Sequence, residues 1–134
     1  MKFTPENITS LEPHQIFVFG SNFAGIHGAG AAALAHKKFG AVWGKGVGLY
    51  GQSYALPTKD HQIITLPLTD IQYQIDLFLG TVNCFPQLEF LVTKIGCGLA
   101  GYNSEDIAAL FKNIEIPSNV VLPESFCKLI YNNK

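Results

Sequence analysis

The chain has 134 residues, a formal net charge of −1, 48% hydrophobic residues and only 14% charged ones. This composition excludes an intrinsically disordered protein, and the length predicts one domain over residues 1–134. The sequence contains no run of like charges, so it lacks the electrostatic signature of a protein that binds bulk nucleic acid or a membrane surface. No apolar run approaches the roughly 18 residues of a membrane span, and the start shows no signal peptide.

All nine basic residues are lysines. Without arginine the chain cannot form bidentate guanidinium contacts, so an anion has to be held by lysine or by backbone N–H groups. The three cysteines lack CxxC spacing, and the four histidines lack the spacing of a ligand set. The sequence therefore predicts neither a disulfide framework nor a metal site, no bound cofactor is expected, and a reducing cytoplasm is the expected location.

The first half of the chain contains a predicted strand, a helix and a hairpin. Residues 15–19 form a continuous β-branched and aromatic run that Gly20 ends, which is typical of a buried strand. Residues 30–39 are rich in alanine and precede Gly40, a pattern that predicts a short helix with a glycine C′ residue. Residues 53–56 and 62–66 flank a Pro-Thr-Lys-Asp turn and predict an antiparallel pair.

The second half contains two predicted helices between two strands. Apolar residues recur at helical spacing over residues 69–85, with Thr69 or Asp70 as the expected N-cap. Residues 89–95 are predicted as a buried strand. A helix is then expected to begin after Asn103, its N-cap, and residues 119–122 are predicted as a last strand.

This order of elements predicts an α/β fold with a mixed sheet and helices on both faces. Ligands of such sheets lie outside the carboxyl ends of the strands. Two glycine-rich segments follow predicted strands there: the first glycine loop, residues 20–30, and the second glycine loop, residues 96–101. Both are expected to precede a helix N-terminus, where an anion is favoured.

The two glycine loops contain no charged residue. A phosphate bound there would be held by amide N–H groups, which glycine allows to approach closely. The alternative is that Gly25, Gly28 and Gly30 only shape a tight turn and a close helix contact. Residues 28–33 match the dinucleotide pattern G-x-G-x-x-A but lack an acidic ribose anchor, and a Walker A motif is absent because Gly46 follows Lys45.

Several of these segments resemble the macrodomain family. They are residues 6–9 (Glu-Asn-Ile-Thr), the strand that ends in Gly20-Ser21-Asn22, and Gly28-Ala29-Gly30. The segment 95–99 (Ile-Gly-Cys-Gly-Leu), together with Thr58-Lys59, is similar to the branch that contains the terminal ADP-ribose protein glycohydrolases. The resemblance spans roughly residues 6–122.

The resemblance implies a three-layer α/β/α domain that binds ADP-ribose or a related nucleotide, with hydrolysis of an ADP-ribosyl linkage as a further possibility. It assigns Lys59 as the catalytic residue. The ligand-binding residues that it implies are Asn7, Asn22, Gly28, Ala29, Gly30, Gly96, Cys97, Gly98, Leu99, Ala100, Gly101 and Tyr102.

The chain departs from the family at two positions that matter for chemistry. Asn7 stands where macrodomains have the Asp that accepts from the adenine amino group, and Ala100 stands where the glycohydrolase branch has a catalytic Asp. Lys59 also has an alternative interpretation as a lysine at a hairpin tip, and Cys97 as a small packing residue rather than a thiol nucleophile. Two other functions therefore stay open: a non-catalytic reader of ADP-ribose and another dinucleotide-binding enzyme.

Overall fold

The computed structural model describes residues 2–131. These residues form a mixed α/β fold with five strands and four helices. The strands are β1 (Gln15–Asn22), β2 (Gly48–Tyr50), β3 (Ser53–Lys59), β4 (Glu89–Val92) and β5 (Val120–Val121). The helices are α1 (Gly30–Lys38), α2 (Leu68–Cys84), α3 (Ser104–Ala108) and α4 (Glu124–Tyr131), with a short 3-10 turn at Ala109–Phe111.

The strands form one sheet in the order β2-β3-β1-β4-β5. Strand β1 lies at its centre and pairs in parallel with both β3 and β4, while β2 is antiparallel to β3. The predicted mixed sheet is therefore confirmed. Because β1, β3 and β4 run in the same direction, their carboxyl ends lie at one edge of the sheet.

Alternate side chains of β1 enter two different hydrophobic cores. Ile16 and Val18 belong to the core that includes residues of α2, α3 and α4. Phe17 and Phe19 belong to a smaller core that includes Ala32 and other small residues of α1. This alternation follows from the two-residue period of a strand, which directs successive side chains to opposite faces.

The hairpin predicted for residues 53–56 and 62–66 is wrong. Strand β3 continues through Pro57 to Lys59, and its antiparallel partner is β2, which precedes it. Pro57 is tolerated because the register between β1 and β3 shifts next to it, at Ser21 and Asn22. The expected second strand is instead a turn at residues 60–64, followed by one isolated bridge between Lys59 and Thr65.

Most other boundaries agree with the sequence to within a few residues. Helix α1 and its following Gly40, at φ +85°, are confirmed, and Asn103 caps α3. Strand β4 ends at Val92, earlier than predicted, and the N-cap position of α2 is Pro67 rather than Thr69 or Asp70. Neither β2 nor α4 was expected from the sequence.

Helix α2, with 17 residues, is the longest in the described range. Among residues 2–131, no helix combines the length and the apolar character that crossing a membrane requires.

Candidate functional site

A cleft of about 460 Å³ lies at the carboxyl ends of β1, β3 and β4. Both glycine loops line it, together with the ends of β1 and β3 and the segment that follows β4. The lining residues are Gly20, Ser21, Asn22, Ile26, Gly28, Ala29, Gly30, Ala31, Ala32, Thr58, Lys59, Ile63, Thr93, Lys94, Ile95, Gly96, Gly98, Leu99 and Ala100.

The topology of the sheet explains why a cleft opens at this position. Strands β1 and β4 are neighbours, but β1 leads into α1, which contributes to one core, while β4 leads into α3, which contributes to the other. Connections that leave adjacent strands for opposite faces open a crevice at the carboxyl edge, where open α/β sheets bind ligands.

The first glycine loop is held in shape by Asn22 and ends at an uncapped helix. The Asn22 side chain accepts from the amide of Ile26 (3.0 Å) and donates to the carbonyl of Ile26 (2.9 Å). At the N-terminus of α1, the N-cap residue Ala29 makes no side-chain capping bond. The amides of Gly30, Ala31 and Ala32, which line the cleft, therefore have no intrahelical acceptor.

The second glycine loop is folded by its own backbone. The amide of Tyr102 donates to the carbonyl of Gly96 (2.9 Å), and the amide of Gly101 donates to that of Gly98 (3.1 Å). Gly96 (φ +75°) and Gly101 (φ +93°) lie in the left-handed region, which a side chain would disfavour. Four residues of this loop line the cleft, and within residues 2–131 their amides form no hydrogen bond; they are Gly96, Gly98, Leu99 and Ala100.

The helix after the second loop has a capped N-terminus, unlike α1. Asn103 accepts from the amide of Asp106 (2.9 Å), and the carboxylate of Asp106 accepts from the amide of Asn103 (3.3 Å). This capping box occupies the amides of Asn103 and Asp106, two of the donors at the helix N-terminus. The expectation that both glycine loops precede a helix N-terminus is confirmed.

Two lysines give the cleft a positive charge. Lys59 lines it from the end of β3 and Lys94 from the segment after β4, and no carboxylate lines it in the described part of the chain. Lys94 lies 3.7 Å from Glu6, but both side chains are largely exposed, so the pair contributes little stability. The cleft thus combines free N–H donors with cationic side chains.

The structure brings most of the proposed site residues to the cleft and leaves four outside its lining. Those that line it are Asn22, Gly28, Ala29, Gly30, Lys59, Gly96, Gly98, Leu99 and Ala100. Asn7 is exposed, and Cys97, Gly101 and Tyr102 belong to the second loop or its end without lining the cleft.

Tyr102 and Cys97 contact the protein interior rather than the cleft. The Tyr102 hydroxyl donates to the carbonyl of Leu66 (2.8 Å), and both Tyr102 and Cys97 pack against the larger core. Burial raises the pKa of the Cys97 thiol, although a hydrogen bond with Ser104 opposes this shift. A raised pKa keeps the thiol protonated near neutral pH, which disfavours the role of nucleophile.

Ten residues that line the cleft were not among the predicted site residues: Gly20, Ser21, Ile26, Ala31, Ala32, Thr58, Ile63, Thr93, Lys94 and Ile95. A usable signal existed for two of them. The apolar run of β4 ends at Thr93, so Thr93 and Lys94 stand at a strand end rather than inside the strand predicted to Ile95. Ile63 carries no comparable signal, because its position depends on the turn at residues 60–64.

A third loop, residues 42–47, packs directly against the first glycine loop. The amide of Gly44 donates to the carbonyl of Gly25 (2.8 Å), and the Ser21 hydroxyl donates to the carbonyl of Gly46. His27 is buried, and its Nε2–H donates to the carbonyls of Val42 (2.9 Å) and Lys45 (3.2 Å). The backbone of this loop therefore supports the cleft wall from behind.

Asn22→Ala is expected to lower both stability and ligand affinity. The change removes two hydrogen bonds from a buried side chain, and each buried group left without a partner costs about 1–3 kcal/mol. Thermal unfolding should occur at a lower temperature, and binding of ADP-ribose should weaken roughly 5- to 150-fold. An affinity that stays unchanged, measured by titration calorimetry, would show that the loop does not depend on this residue for binding.

Comparison of the chain with protein-family models, with curated proteins and with solved structures finds no match. The function is therefore inferred from the geometry of the cleft and from the residues that line it.

Proposed function

We propose that the cleft binds ADP-ribose or a closely related nucleoside diphosphate. One observation carries this proposal: residues of two different loops, whose amides form no hydrogen bond within residues 2–131, line the same cleft together with Lys59 and Lys94. N–H groups and a helix N-terminus favour a multiply charged oxyanion. Donors from two loops suit two linked phosphates better than a single phosphate.

The resemblance to macrodomains suggests where the ribose and the adenine of the ligand would bind. We propose a three-layer macrodomain-like arrangement, which the two cores on opposite faces of the sheet support. In that arrangement the distal ribose lies beside Asn22 and Lys59. The resemblance also implies Tyr102 as a wall for this ribose, but Tyr102 does not line the cleft. Asn7 is exposed at the surface and is the proposed acceptor for the adenine amino group; an amide oxygen can accept there but carries no charge.

Titration calorimetry with ADP-ribose, ADP, NAD and AMP tests the proposal. We expect ADP-ribose and ADP to bind and AMP to bind at least about tenfold more weakly, because AMP lacks one of the two linked phosphates that accept charge-assisted hydrogen bonds. Equal affinity for AMP and ADP would contradict a diphosphate site, and tighter binding of NAD than of ADP-ribose would favour a different dinucleotide-binding protein.

The carboxylates near the cleft favour a binding module over a hydrolase. The Asp60 carboxylate accepts from the amides of Gln62 (2.8 Å) and Ile64 (3.0 Å), and that of Asp106 is part of the α3 capping box. Glu105, in the first turn of α3, does not line the cleft, and Ala100, which does line it, supplies no acid. Cleavage of a glycosidic linkage needs a base or nucleophile and an acid for the leaving group, and the described cleft offers Lys59 without that acid.

We therefore expect weak or no release of ADP-ribose from an ADP-ribosylated protein, measured as free ADP-ribose over time. Any turnover should depend on Lys59, whose amine can attack the anomeric carbon of the distal ribose and displace the protein side chain, which leaves as the protonated group. Opening of the ribose ring then converts the resulting glycosylamine to an imine, and water hydrolyses this imine to free ADP-ribose and the lysine amine. Borohydride added during turnover would reduce that imine to a stable adduct that peptide mapping locates. Turnover that persists in Lys59→Ala would overturn this assignment.

A further inference from the structure

Ile63 has an unusual backbone conformation for its residue type. Its φ is +64°, and among residues 2–131 no other non-glycine residue has a positive φ. A β-branched side chain in the left-handed region is a genuine outlier because its Cβ crowds the backbone. Ile63 is nevertheless 39% exposed and belongs to neither core, so core packing does not account for the isoleucine at this position.

The turn that carries Ile63 is rigidly held. The carboxylate of Asp60 accepts from two amides of the turn. In addition, the backbone amide of Asp60 donates to the carbonyl of Ile64 (2.8 Å), and the backbone carbonyl of Asp60 accepts from the amide of Ile63 (3.1 Å). Thr65 then donates its hydroxyl to the carbonyl of Ala100 (2.8 Å), which ties this turn to the second glycine loop. The strained conformation is thus imposed by its surroundings, as expected for strain kept at a functional site.

The turn presents the Ile63 side chain to the cleft. Ile63 lines the cleft together with Lys59, which ends β3 immediately before the turn, and Leu99 of the second glycine loop lines it too. Leu99 is 76% exposed. The part of the cleft near Lys59 therefore combines one cation with two apolar side chains that have surface left to cover.

We propose that Ile63 is a specificity-determining residue that packs against the distal ribose of the bound ligand. This inference rests on the proposed function, which places that ribose beside Lys59. The carbon-bound hydrogens of a sugar ring form an apolar surface that an isoleucine side chain can cover, whereas the diphosphate is held by the amides. Ile63 then makes the site selective for ADP-ribose over ADP, because ADP lacks the distal ribose.

The test compares ADP-ribose and ADP in titrations of the wild-type chain and of Ile63→Ala. We expect Ile63→Ala to weaken ADP-ribose binding about fivefold, which corresponds to losing the contact of a partly covered aliphatic side chain. ADP affinity should change less than about twofold. Ile63→Leu, which keeps apolar volume without the β-branch, should retain ADP-ribose affinity within about twofold.

Ile64→Ala is the matched control. Ile64 is the next residue in the same turn, is 58% exposed and does not line the cleft, so its loss should leave both affinities unchanged. Ile63→Gly should lose as much ADP-ribose affinity as Ile63→Ala. Its melting temperature should be at least as high as that of Ile63→Ala, because glycine accepts the positive φ. That comparison excludes unfolding as the cause of weaker binding.

The outcomes separate the two proposals. Equal losses for ADP and ADP-ribose in Ile63→Ala, or no loss for either, would overturn the role of Ile63 while leaving the nucleotide site in place. A wild-type chain that binds neither ADP nor ADP-ribose would overturn the proposed function, and the role of Ile63 with it.

Discussion

Gly98→Val is expected to lower ADP-ribose affinity by about 100-fold or more while the protein stays folded. Gly98 lines the cleft, and a Cβ built on it meets no protein atom within 4 Å, so the larger side chain would occupy space that the ligand needs. Blocking even one or two charge-assisted hydrogen bonds from this loop accounts for a loss of that size, since each contributes about 1.5–3 kcal/mol. Titration calorimetry measures the affinity.

Thermal unfolding of the same variant provides the control for folding. We expect its free energy of unfolding to stay within about 1 kcal/mol of the wild-type value, because no buried contact is disturbed. Gly28→Val, in the first glycine loop, should behave in the same way, since the nearest atom to its added Cβ is a methyl carbon of Ile26 at 4.0 Å. Complete loss of binding in Lys45→Ala, an exposed residue outside the cleft lining, would instead contradict a site built from backbone amides.

Gly46→Ala is expected to destabilise the protein by about 3 kcal/mol or more, which lowers the melting temperature by roughly 10 °C. A Cβ at Gly46 would lie 1.9 Å from the carbonyl oxygen of Asn22 and 3.1 Å from the amide nitrogen of Gly25. Both neighbours are backbone atoms, so the two loops must separate. ADP-ribose binding should weaken as well, because Asn22 shapes the cleft wall.

Gly80→Ala is the matched control for this substitution. Gly80 lies inside α2, and its added Cβ would meet nothing within 4 Å. Replacing glycine by alanine in a helix interior stabilises by about 0.5–1 kcal/mol. Thermal unfolding of the two variants should therefore shift in opposite directions; a neutral Gly46→Ala would show that the third loop does not support the first.

Local sequence signals were sufficient for the central part of the fold. The apolar run of β1, the alanine-rich α1 with Gly40 after it, and Asn103 at the start of α3 are each encoded within a few residues. The hairpin at residues 53–66 was predicted wrongly because Pro57 looked like the start of a turn. Its tolerance within β3 depends on the register shift against β1, a tertiary feature that local pattern does not contain.

The candidate site was predictable where glycine marks close backbone approach. Both glycine loops could be placed at strand ends from sequence, and most of their residues line the cleft. Lys94 was missed because the strand was extended too far, and Ile63 because its conformation depends on the hydrogen bonds of Asp60. Asn103 was predicted as the N-cap of α3, but the second bond of its capping box, from the Asn103 amide to the Asp106 carboxylate, was not.

The central position of β1 has a consequence for how the chain folds. Its two partners, β3 and β4, are encoded far downstream, and among the strand pairs of residues 2–131 only β2 with β3 is local in sequence. Parallel pairing at such separation requires closing long loops before any ladder bond forms, which slows folding. During synthesis the apolar residues of β1 cannot pair with β3 or β4 until those strands have been synthesised. The cleft, which requires the ends of all three strands, is therefore among the last features of the molecule to form.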